Sequence, residues 1–380
     1  MTPCIDRVRL LSVDAAPGTV WLFVELSLDD GTAGWGEASL NGAEAAVAAV
    51  ARRLLPELAG TVIATDALFA RLPFATLPEA AVSSAVMQAF RDAGARHAGA
   101  PLAECLDTRR RDRVGLYANI NRRTRDRAPE GMAASARDAQ AAGFDAVKIA
   151  PFDEVQPGQP RDEMRAAMAP GLARIAAVRD VLGPQARLMV DCHWRFDATG
   201  AAEMIDAAAP LAPWWIECPV DEAPENIDVI RGLRARANAV GLRLAGLETR
   251  IRAEGFQPYL DAGAYDVMMP DVKYAGGPDE MLRLAALFAR HGVAFSPHNP
   301  TGPICHAQSL HICAALADSD LLEHQFDETP LFDALVGHAL PLPCRGVAAP
   351  DWTRPGLGID LAGDAARLRD VAATGKGAGA

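Results

Sequence analysis

Arg187–Phe196 reads RLMVDCHWRF, and the change within it from apolar to ionisable residues organises the rest of the chain. Leu188, Met189 and Val190 form an apolar run suited to one buried strand, and Asp191, Cys192 and His193 follow where that strand leaves the core. Along an extended strand, side chains at i and i+2 share a face. Asp191 and His193 are therefore expected to project together, with Cys192 turned into the wall. A carboxylate suits a hard metal, and an imidazole suits proton transfer near neutral pH. Taken alone, the pattern also fits a polar strand end facing water, and the flanking segments decide between the two.

Outward from this stretch, short apolar segments alternate with amphipathic helical ones. Segments beginning at Val114 (VGLYANI), Asp145 (DAVKIAP), Arg187, Pro213 (PWWIECP), Arg243 (RLAGLET), Tyr265 (YDVMMPD), Val293 (VAFSPHN) and Leu321 (LLEHQF) read as eight strands. Helical patterns lie between them, such as Glu163–Leu182, Glu225–Asn238, Pro278–Arg290 and Cys305–Ala317. Eight β/α units match an α/β (β/α)₈ TIM barrel over residues 114–340. A doubly wound open sheet is the structural alternative, but no GxGxxG or GxxxxGK follows an early strand. Residues 1–113 have another texture. A strand-like meander from Arg7 to Glu37, turning at Asp29-Asp30-Gly31, precedes the helical patterns Glu44–Leu58 and Glu79–His97, which describes an α+β domain. Residues 341–380, with Pro355-Gly356-Leu357-Gly358, read as a return segment packing on that first domain, and the closing GKGAGA reads as disordered.

The 380 residues are half hydrophobic and 23% charged, which gives ample core for two domains. A net charge of −12, with only the short Arg109–Arg113 basic run, argues against nucleic acid and anionic membrane as partners. An anionic substrate then needs a local cation. Seven scattered cysteines without CxxC spacing indicate neither a disulfide framework nor structural zinc, and a cytoplasmic location is expected. The opening MTPCIDRVRLL has no long apolar stretch, and no later run is long enough for a membrane span.

In a barrel the reacting groups stand at the C-terminal strand ends. Those ends here carry Lys148, then Asp191 with His193, Glu217, Glu248, Asp271 with Lys273, His298 and Glu323, from the second strand to the eighth. Three consecutive strands thus end in Asp191, Glu217 and Glu248, a set of hard oxygen donors suited to octahedral Mg²⁺ with positions left for a bidentate substrate. Zinc would favour His and Cys, and Cys192 and Cys218 are expected to point away from the centre. His306, His311 and His324 read as helix or wall residues.

With these residues in view, the chain resembles the enolase superfamily in its mandelate racemase subgroup, in which an α+β capping domain covers a modified barrel. VDCHWRF, MPDVKYAGG and SPHNPTGPI resemble the corresponding runs of galactonate-dehydratase-like acid-sugar dehydratases, and PGLGID resembles the C-terminal segment. Two departures stand out. Glu217-Cys218-Pro219 replaces a common Glu-Glu-Pro, and Lys148-Ile149-Ala150 lacks the second lysine that serves racemases as a base. The resemblance implies Mg²⁺ on Asp191, Glu217 and Glu248, and His298 oriented by Asp271 as the base. It further implies Lys148 neutralising the substrate carboxylate, His193 as the acid, and Glu323 hydrogen-bonded to the enediolate. Lys273 is expected as a specificity element or a second acid/base group.

The activity so implied is removal of the proton α to a carboxylate followed by β-elimination of water, converting an aldonate- or aldarate-like acid to a 2-keto-3-deoxy acid. Alternatives are an epimerase, racemase or cycloisomerase, a dehydratase of a hydroxylated cyclic amino acid with Trp194 and Lys273 lining the pocket, and a binding protein that kept the barrel without chemistry. Substrate choice is expected to rest on capping loops near Ala15–Val20 and Gly36–Asn41, and the family resemblance implies a homo-oligomer.

Overall fold

The computed structural model describes residues 3–61, 65–106, 111–336, 344–361 and 367–373. The alternating N-terminal residues form an antiparallel meander of β1 (Ile5–Ala16), β2 (Thr19–Leu28) and β3 (Ala33–Glu37). Helices α1 (Glu44–Leu54), α2 (Thr65–Phe69), α3 (Leu77–His97) and α4 (Leu102–Leu106) follow. The glycines of GWGE set how closely β3 approaches α3. A Cβ at Gly34 would lie 2.1 Å from the Ala89 carbonyl oxygen, and one at Gly36 would lie 2.0 Å from that of Ala85. Any side chain at either position would push strand and helix apart.

The alternating region then builds eight parallel strands. They are β4 (Val114–Asn119), β5 (Ala146–Ile149), β6 (Arg187–Asp191), β7 (Trp215–Glu217), β8 (Arg243–Gly246), β9 (Val267–Met268), β10 (Ala294–Phe295) and β11 (Leu322–Gln325). Each lies beside the next from β4 to β10, and β11 pairs with β4 through Leu322–Leu116 and Gln325–Asn119. At the seam between β10 and β11, Asp320 N donates to Phe295 O (2.8 Å) and Ser296 Oγ to Leu321 O (2.6 Å). That closure excludes the doubly wound alternative, whose sheet has two free edges. Helices α5 (Pro129–Ala141), α6 (Arg161–Leu182), α7 (Ala198–Ala208), α8 (Ile227–Ala239), α9 (Arg252–Asp261), α10 (Pro278–Arg290) and α11 (Pro303–Ala315) connect the strands, and α12 (Leu331–Ala334) follows β11. Their apolar faces and the outward residues of the strands form one large core.

Inside the barrel, Tyr117, Ala146, Met189, Trp215, Ala245 and Val267 form a separate packed layer. Beyond the barrel, β12 (Val347–Ala348) adds antiparallel to β4, and β13 (Arg369–Ala373) pairs antiparallel with the outer side of β1, so the N-terminal sheet runs β13-β1-β2-β3. The GKGAGA stretch lies outside the described residues. Among the described residues no helix is long and apolar enough to cross a membrane.

Candidate active site

The alternation of strand side chains carries the packed inner layer upward into the mouth of the barrel. Two residues past Ala146 stands Lys148, two past Met189 stands Asp191, two past Trp215 stands Glu217, and two past Leu321 stands Glu323, all buried. Asp191 and Glu217 are register partners across β6 and β7, and Glu217 in turn faces Ala245 on β8. Glu248 is three residues past Ala245 and on simple alternation would point outward. Leu247, at φ 73°, takes the left-handed turn that allows it to join the others. The ligand oxygens of Asp191, Glu217 and Glu248 lie within 4.8 Å of one another.

Brought this close and buried, the carboxylates of the cluster oppose one another's ionisation. Burial pushes the Glu217 carboxyl up, and the neighbouring Asp191 and Glu323 outweigh enough of the relief from Lys148 to leave it at about 8. Glu248 is driven well above the carboxylate range by burial and by Asp191 and Glu217. Three convergent, buried oxygen donors that resist being charged together fit a hard divalent cation, which would remove the repulsion. Neither Cys192 nor Cys218 belongs to the cluster, although both are buried nearby.

Lys148 bridges two carboxylates, with Nζ at 2.7 Å from Glu217 Oε1 and at 2.7 Å from Glu323 Oε1. Burial works against its charge, but Glu217 and Glu323 outweigh it and hold the ammonium well above its ordinary pKa. Trp215 Nε1 donates to the other Glu217 oxygen at 3.0 Å. The oxygens of Glu323 are occupied by Lys148, by Asn119 Nδ2 (2.7 Å) and by the Asn299 amide (2.8 Å). These three donors hold Glu323 beside Lys148, and its charge is felt at His298.

Two histidines face the cavity from opposite electrostatic settings. His298 holds Nδ1 at 2.8 Å from Asp271 Oδ2 and turns Nε2 to within 3.5 Å of Glu248 Oε2. Burial depresses its pKa against the pull of Asp271. Lys273, expected as a specificity element or second acid/base group, has its ammonium 2.7 Å from the same Asp271 oxygen and is buried. Burial raises the Asp271 carboxyl, but Lys273 and His298 more than compensate and keep it below the usual range. His193 reaches its place by a different path from the one expected. The strand stops at Asp191, and His193 and Trp194 take left-handed conformations at φ 47° and 55°. The imidazole folds back so that Nε2 sits 2.8 Å from Asp191 Oδ2, while the His193 amide donates to Oδ1 at 3.0 Å. The Asp191 charge raises the His193 pKa, and the side chain is 46% exposed. Burial alone would push Asp191 up, but His193 and Lys148 hold it at about 2.

These groups share a cavity of 370 Å³ whose wall also includes Trp21, Asn41, Asn121, Arg122, Thr249 and Tyr274. Of the capping segment Gly36–Asn41, Ser39, Leu40 and Asn41 line it. The Ala15–Val20 segment is instead the β1–β2 hairpin, and Ala16–Thr19 line a neighbouring cavity that shares Asn41 and Arg122. Asn121 and Arg122 follow the first barrel strand, whose end carries only Asn119. The first strand therefore brings its polar groups to the cavity without an ionisable residue at its own end. His306 and His311 lie buried on α11 and His324 buried on β11, outside the cavity lining.

Residues 131–365 match the family model described as enolase C-terminal domain-like, and residues 8–106 match that of the mandelate racemase/muconate lactonizing enzyme N-terminal domain. The chain is 33% identical over 278 residues to D-gluconate dehydratase of Thermoproteus tenax, a match covering 73% of this chain and 53% of that protein. It is 28% identical over 368 residues to D-galactonate dehydratase of Xanthomonas campestris pv. campestris, covering 93% of this chain and 91% of that one. Among solved structures, one from Zymomonas mobilis ZM4 superposes with a TM-score of 0.87 at 22% identity, over 97% of this chain and 99% of its own. A mandelate racemase/muconate lactonizing enzyme-like protein from Roseovarius sp. TM1035 gives 0.82 at 25% identity, over 96% and 94%.

Proposed function

The chain belongs to the mandelate racemase/muconate lactonizing enzyme family of the enolase superfamily, and from that premise we propose that it is a Mg²⁺-dependent dehydratase of an acid sugar. The observation that carries this reading is the pair of histidines on one cavity. His298 has Nδ1 committed to Asp271 with Nε2 turned toward Glu248, and His193 lines the same cavity with Nε2 on Asp191, so two separate proton-transfer groups flank the triad, as elimination needs for base and acid.

When bound by Asp191, Glu217 and Glu248, Mg²⁺ supplies positive charge against the substrate carboxylate. With its Nδ1–H committed to Asp271, His298 presents the Nε2 lone pair, and that nitrogen takes the α-proton. As negative charge moves onto the carboxylate, Lys148 stands beside it as a fixed ammonium. His193 gives its Nε2 proton to the β-hydroxyl, the C–O bond breaks, and water leaves. The resulting enol becomes the 2-keto-3-deoxy acid by tautomerisation. Asp271 keeps the His298 tautomer and stabilises the imidazolium. Lys273, paired to the same oxygen, keeps Asp271 ionised. The amides of Asn41 and Asn121 and the guanidinium of Arg122 offer hydroxyl-binding groups along the wall, which suits a polyhydroxylated substrate.

The test is a screen of aldonates and aldarates for 2-keto acid, followed by His193→Asn on the active substrate in deuterated water. This variant is expected to form keto acid at least 100-fold more slowly, by the usual worth of a positioned acid of about 10²–10⁴, while exchange of the α-hydrogen continues. Turnover unchanged by the substitution would remove His193 from the mechanism. Deuterium in recovered substrate or its epimer, with no keto acid from the parent, would assign an epimerase instead.

A further inference from the structure

Glu222 has no part in the chemistry above, yet its carboxylate reaches toward three of the turns on which that chemistry stands. We infer that Glu222 is the positioning residue that ties together the turns carrying His193, Glu217 and Glu248. This rests on the reading of Asp191, Glu217 and Glu248 as a metal triad.

Glu222 Oε2 accepts from Trp194 Nε1 at 3.0 Å, next in sequence to His193. Its Oε1 accepts from the Leu247 amide at 2.7 Å, next to Glu248, and from Cys218 Sγ at 3.8 Å, next to Glu217. Tyr265 OH donates to the same oxygen at 2.7 Å. Trp194, Cys218 and Leu247 all have positive φ, at 55°, 44° and 73°. Residues with side chains hold such a conformation only when their surroundings impose it, and one buried carboxylate contacts all three. Glu222 is itself anchored at its backbone, where its carbonyl accepts from Arg250 at 3.0 Å and from the Tyr259 hydroxyl.

The space around the carboxylate is closed. A Cβ on Gly246 would stand 2.3 Å from Oε1, so the approach of Glu222 to the end of β8 depends on that glycine. A carboxylate that served only the core would need enough donors to offset its burial. Here three of the four donors belong to three different ligand- or acid-bearing turns, so losing the carboxylate loosens all three at once. An outer partner of this kind typically contributes about 10–100-fold to metal affinity.

The experiment is calorimetric titration of the full-length chain with Mg²⁺ in the absence of substrate, on the parent and on Glu222→Gln. The amide of Gln must aim its NH₂ at one of the donors that the carboxylate accepted. Affinity is expected to fall about 10–100-fold, with faster exchange of the Leu247 amide and circular dichroism close to the parent. Affinity within twofold of the parent overturns the inference. Should Glu222→Gln not fold, Tyr265→Phe takes its place, because it removes one donor and keeps the carboxylate. Weaker Mg²⁺ binding in that variant supports the role, and unchanged binding overturns it. A parent that takes up no divalent cation overturns the metal reading and this inference with it. A parent and variant that bind Mg²⁺ equally overturn this inference alone.

Discussion

Two imidazoles look onto the same cavity, one nearly shut away against Asp271 and the other half open beside Asp191. Their side chains are chemically identical, so their roles differ only through what surrounds them. His298→Asn is expected to abolish both α-hydrogen exchange and keto-acid formation, by about 10²–10⁴-fold each, whereas His193→Asn spares the exchange. Mass-spectrometric readout of deuterium in recovered substrate separates the two, and exchange surviving in the His298 variant would move the base elsewhere. Lys148, Asp191 and Glu217 were legible from sequence because strand ends follow a two-residue period that the apolar layer below makes visible, whereas Glu248 is one residue off that period and was legible only as a carboxylate at a strand end. His193 was legible as a residue but not as a geometry. A left-handed turn, not an extended strand, brings it onto Asp191, and nothing in HisTrpArg announces positive φ. Glu222 escaped for another reason: its partners are a backbone amide, an indole, a phenol and a thiol from separate turns, and no spacing rule connects them.

At the level of elements, the barrel order could be read from alternation, but the joint between the two domains could not, since it rests on buried side-chain contacts between residues far apart in sequence, Glu37 foremost. Glu37, closing β3, receives Thr301 Oγ1 (2.6 Å), Gly302 N (2.8 Å) and Cys305 N (2.9 Å) from the start of α11, and Ser39 Oγ (2.8 Å) from its own loop. A carboxylate from the N-terminal domain thus satisfies the open amides of a barrel helix. The same contact fixes both the Ser39–Asn41 wall and the segment leading from His298. Glu37→Ala leaves those donors buried without partners, at about 1–3 kcal/mol for each. Expected are a lower midpoint in denaturant unfolding and a raised KM. A variant with parental stability would show that the joint is held by other contacts.

For the molecule as a whole, the triad is expected to make stability depend on metal and pH together. Glu217, at about 8 when folded against an ordinary 4.5, and Glu248, also raised, bind protons more tightly in the native state than in the unfolded one. Their contribution is complete below the ordinary carboxylate pKa and is lost as pH climbs through the folded values. In chelator, thermal stability from this source should fall between pH 5 and pH 8, while Mg²⁺ should protect strongly at pH 8 and little at pH 5. Scanning calorimetry with and without Mg²⁺ checks this, and a protection that does not change with pH would contradict it. The topology carries one more consequence. Because Arg9 of β1 pairs with Ala373 of β13, β1 leaves the ribosome well before its outer neighbour and waits for it until the barrel between them has been synthesised. A nascent chain halted before Arg369 would therefore carry a bare β1 margin, and chaperones or stray strands are expected to find that margin first.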